Sequence, residues 1–200
     1  MSASTEQIKE LRETTGAGVL ECKRALEEAG GDFEKATEIL HERGMAKAAK
    51  RSDRATSAGT LDLYDHGDGR VGVMVEVNCE TDFVARTDEF REFAHEIALQ
   101  VAATDPTWVS EEEVPEDILE GEKAKYAEGA MEEGKPEEVI DRIVEGRLAK
   151  FLDENCLLRQ PYIRDDEKTV EELLKENIAT IGENIQVRRF VRWELAEEIE

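Results

Sequence analysis

The sequence predicts an α+β protein: a helical N-terminal module, then helices packed on a small antiparallel sheet of about three strands. Three observations carry this. The first 45 residues hold three short amphipathic stretches punctuated by glycine. Residues 61–77 alternate apolar and polar positions about a glycine-rich turn. Several later segments return to helical spacing.

The elements follow in order. Ser4 and Gln7 have capping-box spacing, and Ile8 and Leu11 follow on one face. Gly16-Ala17-Gly18 breaks the chain, after which Val19, Cys22, Leu26 and Ala29 recur at helical spacing. A second break at Gly30-Gly31 precedes Asp32, the expected N-cap of a third helix carrying Phe33, Ala36, Ile39 and Leu40. Gly44 is the expected left-handed end of that helix. Helices this short are marginal alone, so residues 1–45 are expected to form one three-helix module. Residues 46–58 hold Lys47, Lys50, Arg51 and Arg54 and almost no large apolar side chain. A solvated linker and a basic patch for an acidic partner both fit that composition.

An α+β core is expected over 59–200. Leu61 and Leu63 alternate with Asp62 and Tyr64, and Val71, Val73, Val75 and Val77 alternate with Gly72, Met74 and Glu76. Asp65-His66-Gly67-Asp68-Gly69 between them suits a tight reversal. A third strand over 185–195 is expected to pair with this hairpin, with a bulge or a wet face near Arg189. Between the strands, Phe90, Phe93, Ala94, Ile97, Ala98 and Val101 form an apolar stripe with Thr87 as its expected N-cap, and Asp105-Pro106 ends it. Ser110 and Glu113 have capping-box spacing. Pro136 opens a helix whose expected inner face is Val139, Ile140, Ile143, Leu148, Phe151 and Leu152. Thr169 and Glu172 are expected to cap a last helix with Val170, Leu173, Leu174 and Ile178.

Composition excludes several functions. The 200 residues include 26 Lys plus Arg against 49 Asp plus Glu, a formal charge of -23. Such a chain repels phosphate backbones and anionic membrane surfaces, so neither nucleic acid nor membrane is an expected partner. The start MSASTEQIKE has no basic or apolar run of a secretory signal, and no stretch nears 18 consecutive apolar residues. The expectation is a soluble cytoplasmic protein. A salt-rich cytoplasm, in which dense surface carboxylates keep a protein dissolved, would account for the acidity. Cys22, Cys79 and Cys156 are scattered and form no CxxC pair, which implies neither a disulfide framework nor a zinc site.

Catalytic residues, cofactors and metal ligands are not expected. His41, His66 and His95 lie in three unrelated contexts, and the chain has no GxSxG, HExxH or GxxxxGK[ST] motif. The acidic run Glu111–Glu122 lacks EF-hand spacing. One segment stands apart. Glu76 to Arg86 leads from the valine strand into the next helix with Thr81, Asp82, Phe83 and Val84 at its centre. An aromatic ring beside a carboxylate on a surface turn has the composition of a contact hot spot. The alternative is that Phe83 tucks under the sheet and Asp82 caps the helix.

Leu11-Arg12-Glu13-Thr14-Thr15-Gly16-Ala17-Gly18-Val19-Leu20-Glu21-Cys22-Lys23-Arg24-Ala25-Leu26 resembles the N-terminal signature of the elongation factor Ts family. Glu76 to Arg86 resembles its second signature, and Glu145–Leu148, Leu157–Pro161 and Arg188–Arg192 also fit. The resemblance implies a guanine-nucleotide exchange factor for elongation factor Tu, which is not an enzyme. It implies a ubiquitin-associated-like (UBA-like) three-helix module that docks on the GTPase, with contacts assigned to Arg12, Thr15, Gly16 and Gly18. It implies that Thr81, Asp82, Phe83 and Val84 disturb the partner's magnesium site, with Phe83 as a wedge. The chain looks like the short, single-core form, which implies a homodimer through the core sheet, with the strand around Phe190 and Trp193 as the contact. A non-catalytic adaptor built on the same helical module is the alternative reading.

Overall fold

A computed structural model describes residues 3–198. Three helices come first: α1 (Thr5–Thr15), α2 (Val19–Glu28) and α3 (Phe33–Ala49). A hairpin of β1 (Ala58–His66) and β2 (Val71–Cys79) leads to α4 (Asp88–Thr104), and then to the helical pair α5 (Glu116–Glu132) and α6 (Glu137–Asn155). The short strands β3 (Pro161–Tyr162) and β4 (Asp165–Thr169), helix α7 (Val170–Ile181) and strand β5 (Ile185–Glu194) complete the chain. The class is α+β, as the residue pattern predicts.

By its contacts the chain divides into two compact units. The first comprises Met1–Gly59, Asn78–Arg91 and Glu172–Gln186; the second comprises Thr60–Val77, Glu92–Glu171 and Val187–Glu200.

Within the first unit, the three-helix module closes on Leu11, Cys22, Ala25, Leu26, Ala36 and Leu40. The capping box at its start forms: the Ser4 hydroxyl accepts from the Gln7 amide at 3.1 Å, and the Gln7 side chain accepts from the Ser4 amide at 3.1 Å. Two expectations need correction. Gly44 does not end the third helix, which runs on to Ala49. Its lack of a side chain serves a close approach instead, because a Cβ there would lie 3.1 Å from the Ala179 Cβ of α7. Val19 leaves the apolar face assigned to it and is exposed, since the break at Gly16–Gly18 starts α2 with its first turn outside the core.

The stretch after Met45 is more engaged than a solvated linker. Lys47 pairs with Glu21, Arg51 donates to the Ile178 carbonyl at 3.3 Å, and Arg54 meets Glu80 at 3.2 Å. These basic side chains bind their own unit.

The three-stranded sheet has the order β1-β2-β5, so the last strand pairs with β2. The Leu195 amide donates to the Arg70 carbonyl at 2.8 Å, which sets the end of β5 beside the start of β2. Val71, Val73, Val75 and Val77 all point to a buried face. In the second unit α4 covers that face: His95 meets Asp62 of β1 at 3.1 Å, and Arg192 of β5 donates to the Ala102 carbonyl at 3.4 Å. The predicted stripe from Phe90 to Val101 is buried along its whole length. Thr87 caps it, its hydroxyl accepting from the Phe90 amide at 3.3 Å.

The alternation in β5 changes phase at the position anticipated for a bulge. Ile185 and Val187 are buried, Arg188 and Arg189 are both exposed, and Arg192 is back on the covered side. Arg189 therefore lies on the open face, where it pairs with Glu76 at 2.7 Å.

Two further expectations change. Glu113 reaches back to the Val109 amide (3.1 Å) rather than to Ser110, and only the single turn Glu111–Glu113 forms. Pro115 follows and holds Val114 extended, so α5 must start beyond it. In α6 only Ile140 of the expected inner face is buried, while Val139 is exposed and the others are half-buried. That helix packs mainly on α5, and Trp108 lies against Phe151 with ring centroids 6.1 Å apart.

Candidate partner-binding site

The segment between β2 and α4 sits on a frame built from two distant stretches of the first unit, Ser52–Arg54 and Glu183–Asn184. Glu80 ends the approach. Its carboxylate accepts from the Asn184 amide at 2.7 Å and from Arg54 at 3.2 Å. These donors, the Asn184 amide first, hold its carboxyl below the ordinary value of 4.5. The buried Asn184 side chain donates in turn to the carbonyls of Ser52 (3.1 Å) and Arg54 (2.8 Å).

Thr81 is gripped next. Its amide donates to Glu183 at 3.0 Å, and its hydroxyl donates to the other oxygen of the same carboxylate at 2.7 Å. From below, Cys79 donates its thiol to the Thr81 carbonyl at 3.2 Å. Burial pushes that thiol above its ordinary value, so it stays protonated and able to donate. The chain then turns through Val84–Arg86, closed by the Ala85 amide on the Thr81 carbonyl (3.2 Å) and by the Arg86 amide on the Phe83 carbonyl (3.3 Å). Ala85 is buried beneath it.

Asp82 and Phe83 form the tip. Phe83 is 81% exposed, which decides between the two readings open in the sequence: the ring is not core. The Asp82 carboxylate points outward and meets Arg86 at 2.9 Å. A rigidly held turn thus offers a bare aromatic ring beside a carboxylate, and a large ring contributes contact area at low entropy cost.

The residues singled out in the N-terminal module build the corner between α1 and α2. The Thr15 hydroxyl donates to the Leu11 carbonyl at 2.7 Å. Gly16 ends α1 at φ 66°, and a Cβ there would lie 2.9 Å from the Thr180 Cγ2 of α7. Both demands exclude a side chain at that position. Gly18 caps α2, its carbonyl accepting from the Glu21 and Cys22 amides, each at 2.9 Å. Arg12 is exposed on α1.

Sequence reasoning missed the side chains that this corner presents. Leu20 is 69% exposed, with Val19 open beside it. The available signal was the glycine pair, because a helix that begins at a sharp corner turns its first residues outward.

A family model for elongation factor Ts matches residues 6–197. This chain belongs to the elongation factor Ts family. The elongation factor Ts of Coprothermobacter proteolyticus is 57% identical over 197 residues, 98% of this chain and 100% of that one. That of Caldanaerobacter subterraneus subsp. tengcongensis is 59% identical over 197 residues, covering 98% of each chain. That of Thermoanaerobacter sp. is 58% identical, covering 98% and 97%. Membership places the chain among the elongation factors of protein synthesis. Among the described residues, no group of three or more His, Cys, Asp or Glu side chains is placed to hold a metal ion. No helix among them is long and apolar enough to cross a membrane.

Proposed function

We propose that this chain is the guanine-nucleotide exchange factor of its elongation factor Tu, and that Asp82 and Phe83 are its working tip. The observation that carries the reading is the exposure of Phe83 on a turn that Glu183 holds by two bonds. A ring that fills no space in its own fold is available to enter another protein. Asp82 beside it brings a carboxylate toward the magnesium ion that bridges nucleotide and GTPase. Disturbing that ion's coordination weakens GDP. By linkage, GDP then weakens the factor by the same ratio. The chain acts by binding, with no bond made or broken on its own residues, and its place of action is the cytoplasm. Arg12, Val19 and Leu20 at the α1–α2 corner supply the docking contact, and Thr15, Gly16 and Gly18 shape it.

The functional form is a homodimer. Leu61 and Leu63 of β1, Met74 of β2 and Trp193 of β5 are all exposed. Strand alternation puts them on the face opposite the valines, beside the Glu76–Arg189 pair. An apolar face of this kind marks a protein contact, and a second copy offers the matching surface. Trp193 belongs to this contact. Phe190, in phase with Arg192, falls on the covered side.

Release of a fluorescent GDP from purified elongation factor Tu tests the function. Substoichiometric amounts of the chain are expected to speed release and to turn over. Binding without acceleration would support a non-catalytic adaptor instead.

A further inference from the structure

Five residues between Ile178 and Asn184 make contacts that seat both proposed contact regions. Thr180 lies against Gly16 at the α1–α2 corner, where no Cβ fits. Ala179 lies against Gly44 of α3, and Arg51 donates to the Ile178 carbonyl. Three residues after Thr180, Glu183 grips Thr81, and Asn184 ties Glu80 to the carbonyls of Ser52 and Arg54.

Of these ties, only the Glu183 carboxylate holds the turn by a pair of side-chain bonds immediately before the tip. It accepts from the amide and the hydroxyl of one residue, a two-point grip that fixes orientation as well as position. The Cys79 thiol and the Ala85 amide hold the Thr81 carbonyl, and the Glu183 grip adds the amide and the hydroxyl.

We propose that Glu183 is a positioning residue for nucleotide exchange: its carboxylate clamps Thr81 and so aims Asp82 and Phe83 at the partner. This rests on the exchange reading above. Glu183 itself does not touch the GTPase. Its contribution is to the rate reached once the complex has formed, because docking through the α1–α2 corner does not pass through the clamp. A misplacement of about 1 Å at a working group lowers a rate by up to about a hundredfold.

The test measures GDP release from elongation factor Tu against increasing factor, for wild type, Glu183→Ala, Glu183→Gln, Thr81→Val and the double variant Glu183→Ala/Thr81→Val. Hydrogen exchange of the Thr81 amide is read in parallel. Glu183→Ala is expected to lower the maximal rate at least about tenfold while the half-saturating concentration moves by less than about threefold. The Thr81 amide should lose its protection. Glu183→Gln keeps one acceptor and gains a donor that the threonine hydroxyl can accept, so it should recover part of the rate. The double variant should be no slower than the slower single, because both remove one clamp. If Glu183→Ala does not fold, Thr81→Val and Glu183→Gln carry the same comparison.

A wild-type rate retained in Glu183→Ala with an unprotected Thr81 amide overturns the clamp and leaves the exchange reading intact. Additive losses in the double variant also overturn it. No acceleration by the wild-type chain overturns both.

Discussion

Glu80 shows how one carboxylate supports the tip. Its folded value lies below the ordinary 4.5, chiefly through the Asn184 amide. A depressed value contributes stability above the unfolded pKa, and that stability is lost as pH falls through the folded pKa. The Glu80 contribution is therefore complete at pH 7 and fades below about 4.5. Glu80→Gln is expected to be less stable than wild type in urea at pH 7, with the gap narrowing steadily below pH 4.5. A gap unchanged across that range contradicts the assignment. Gln100 shows what the residues could not reveal. It is fully buried on α4, donates to the Gln160 side chain (3.2 Å) and the Pro161 carbonyl (3.1 Å), and accepts from the Ile163 amide (2.9 Å). A polar residue satisfied by a chain segment sixty positions away looks, in sequence, like a surface residue.

At the scale of elements, local signals were the most legible. The capping box at Ser4, the cap at Thr87 and the valine alternation depend only on near neighbours, and each forms as its spacing predicts. Ser4→Ala is expected to cost about 1 kcal/mol, read as a lower urea midpoint with unchanged slope. A destabilisation near zero would mean that α1 is held by packing alone. Gly44 and Ser110 misled for one reason: their local signals are ambiguous, and distant residues decide them. Ala179 makes a small residue necessary at Gly44 within a continuing helix, and Pro115 stops the helix that Ser110 would have opened. Period two showed that β1 is a strand, but not that Leu61 and Leu63 face outward. Which side a sheet buries depends on what covers it. The candidate tip was legible as a segment, and the exposure of Phe83 was not, because ring burial depends on the Glu183–Asn184 frame about 100 residues later.

For the whole molecule, the open sheet face and the charge of -23 act against each other. Trp193 is 74% exposed and Leu63 73%, so two copies gain by covering them. Two chains of the same sign repel, and salt screens that repulsion over about 8 Å at physiological ionic strength. Sedimentation is expected to show a dimer that tightens as salt rises, and Trp193→Glu should shift it to monomer with little change in melting. A wild-type monomer at every salt concentration contradicts a role for this face in self-association.

In the proposed mechanism an exposed ring, held from outside its own turn, is what acts on the GTPase. The most direct test compares GDP release from elongation factor Tu with wild type and with Phe83→Ala, alongside urea unfolding of both. Loss of nearly all acceleration, with stability changed by no more than about 0.5 kcal/mol, is the result expected for a ring that serves a partner and not the core. Full exchange activity in Phe83→Ala would contradict it.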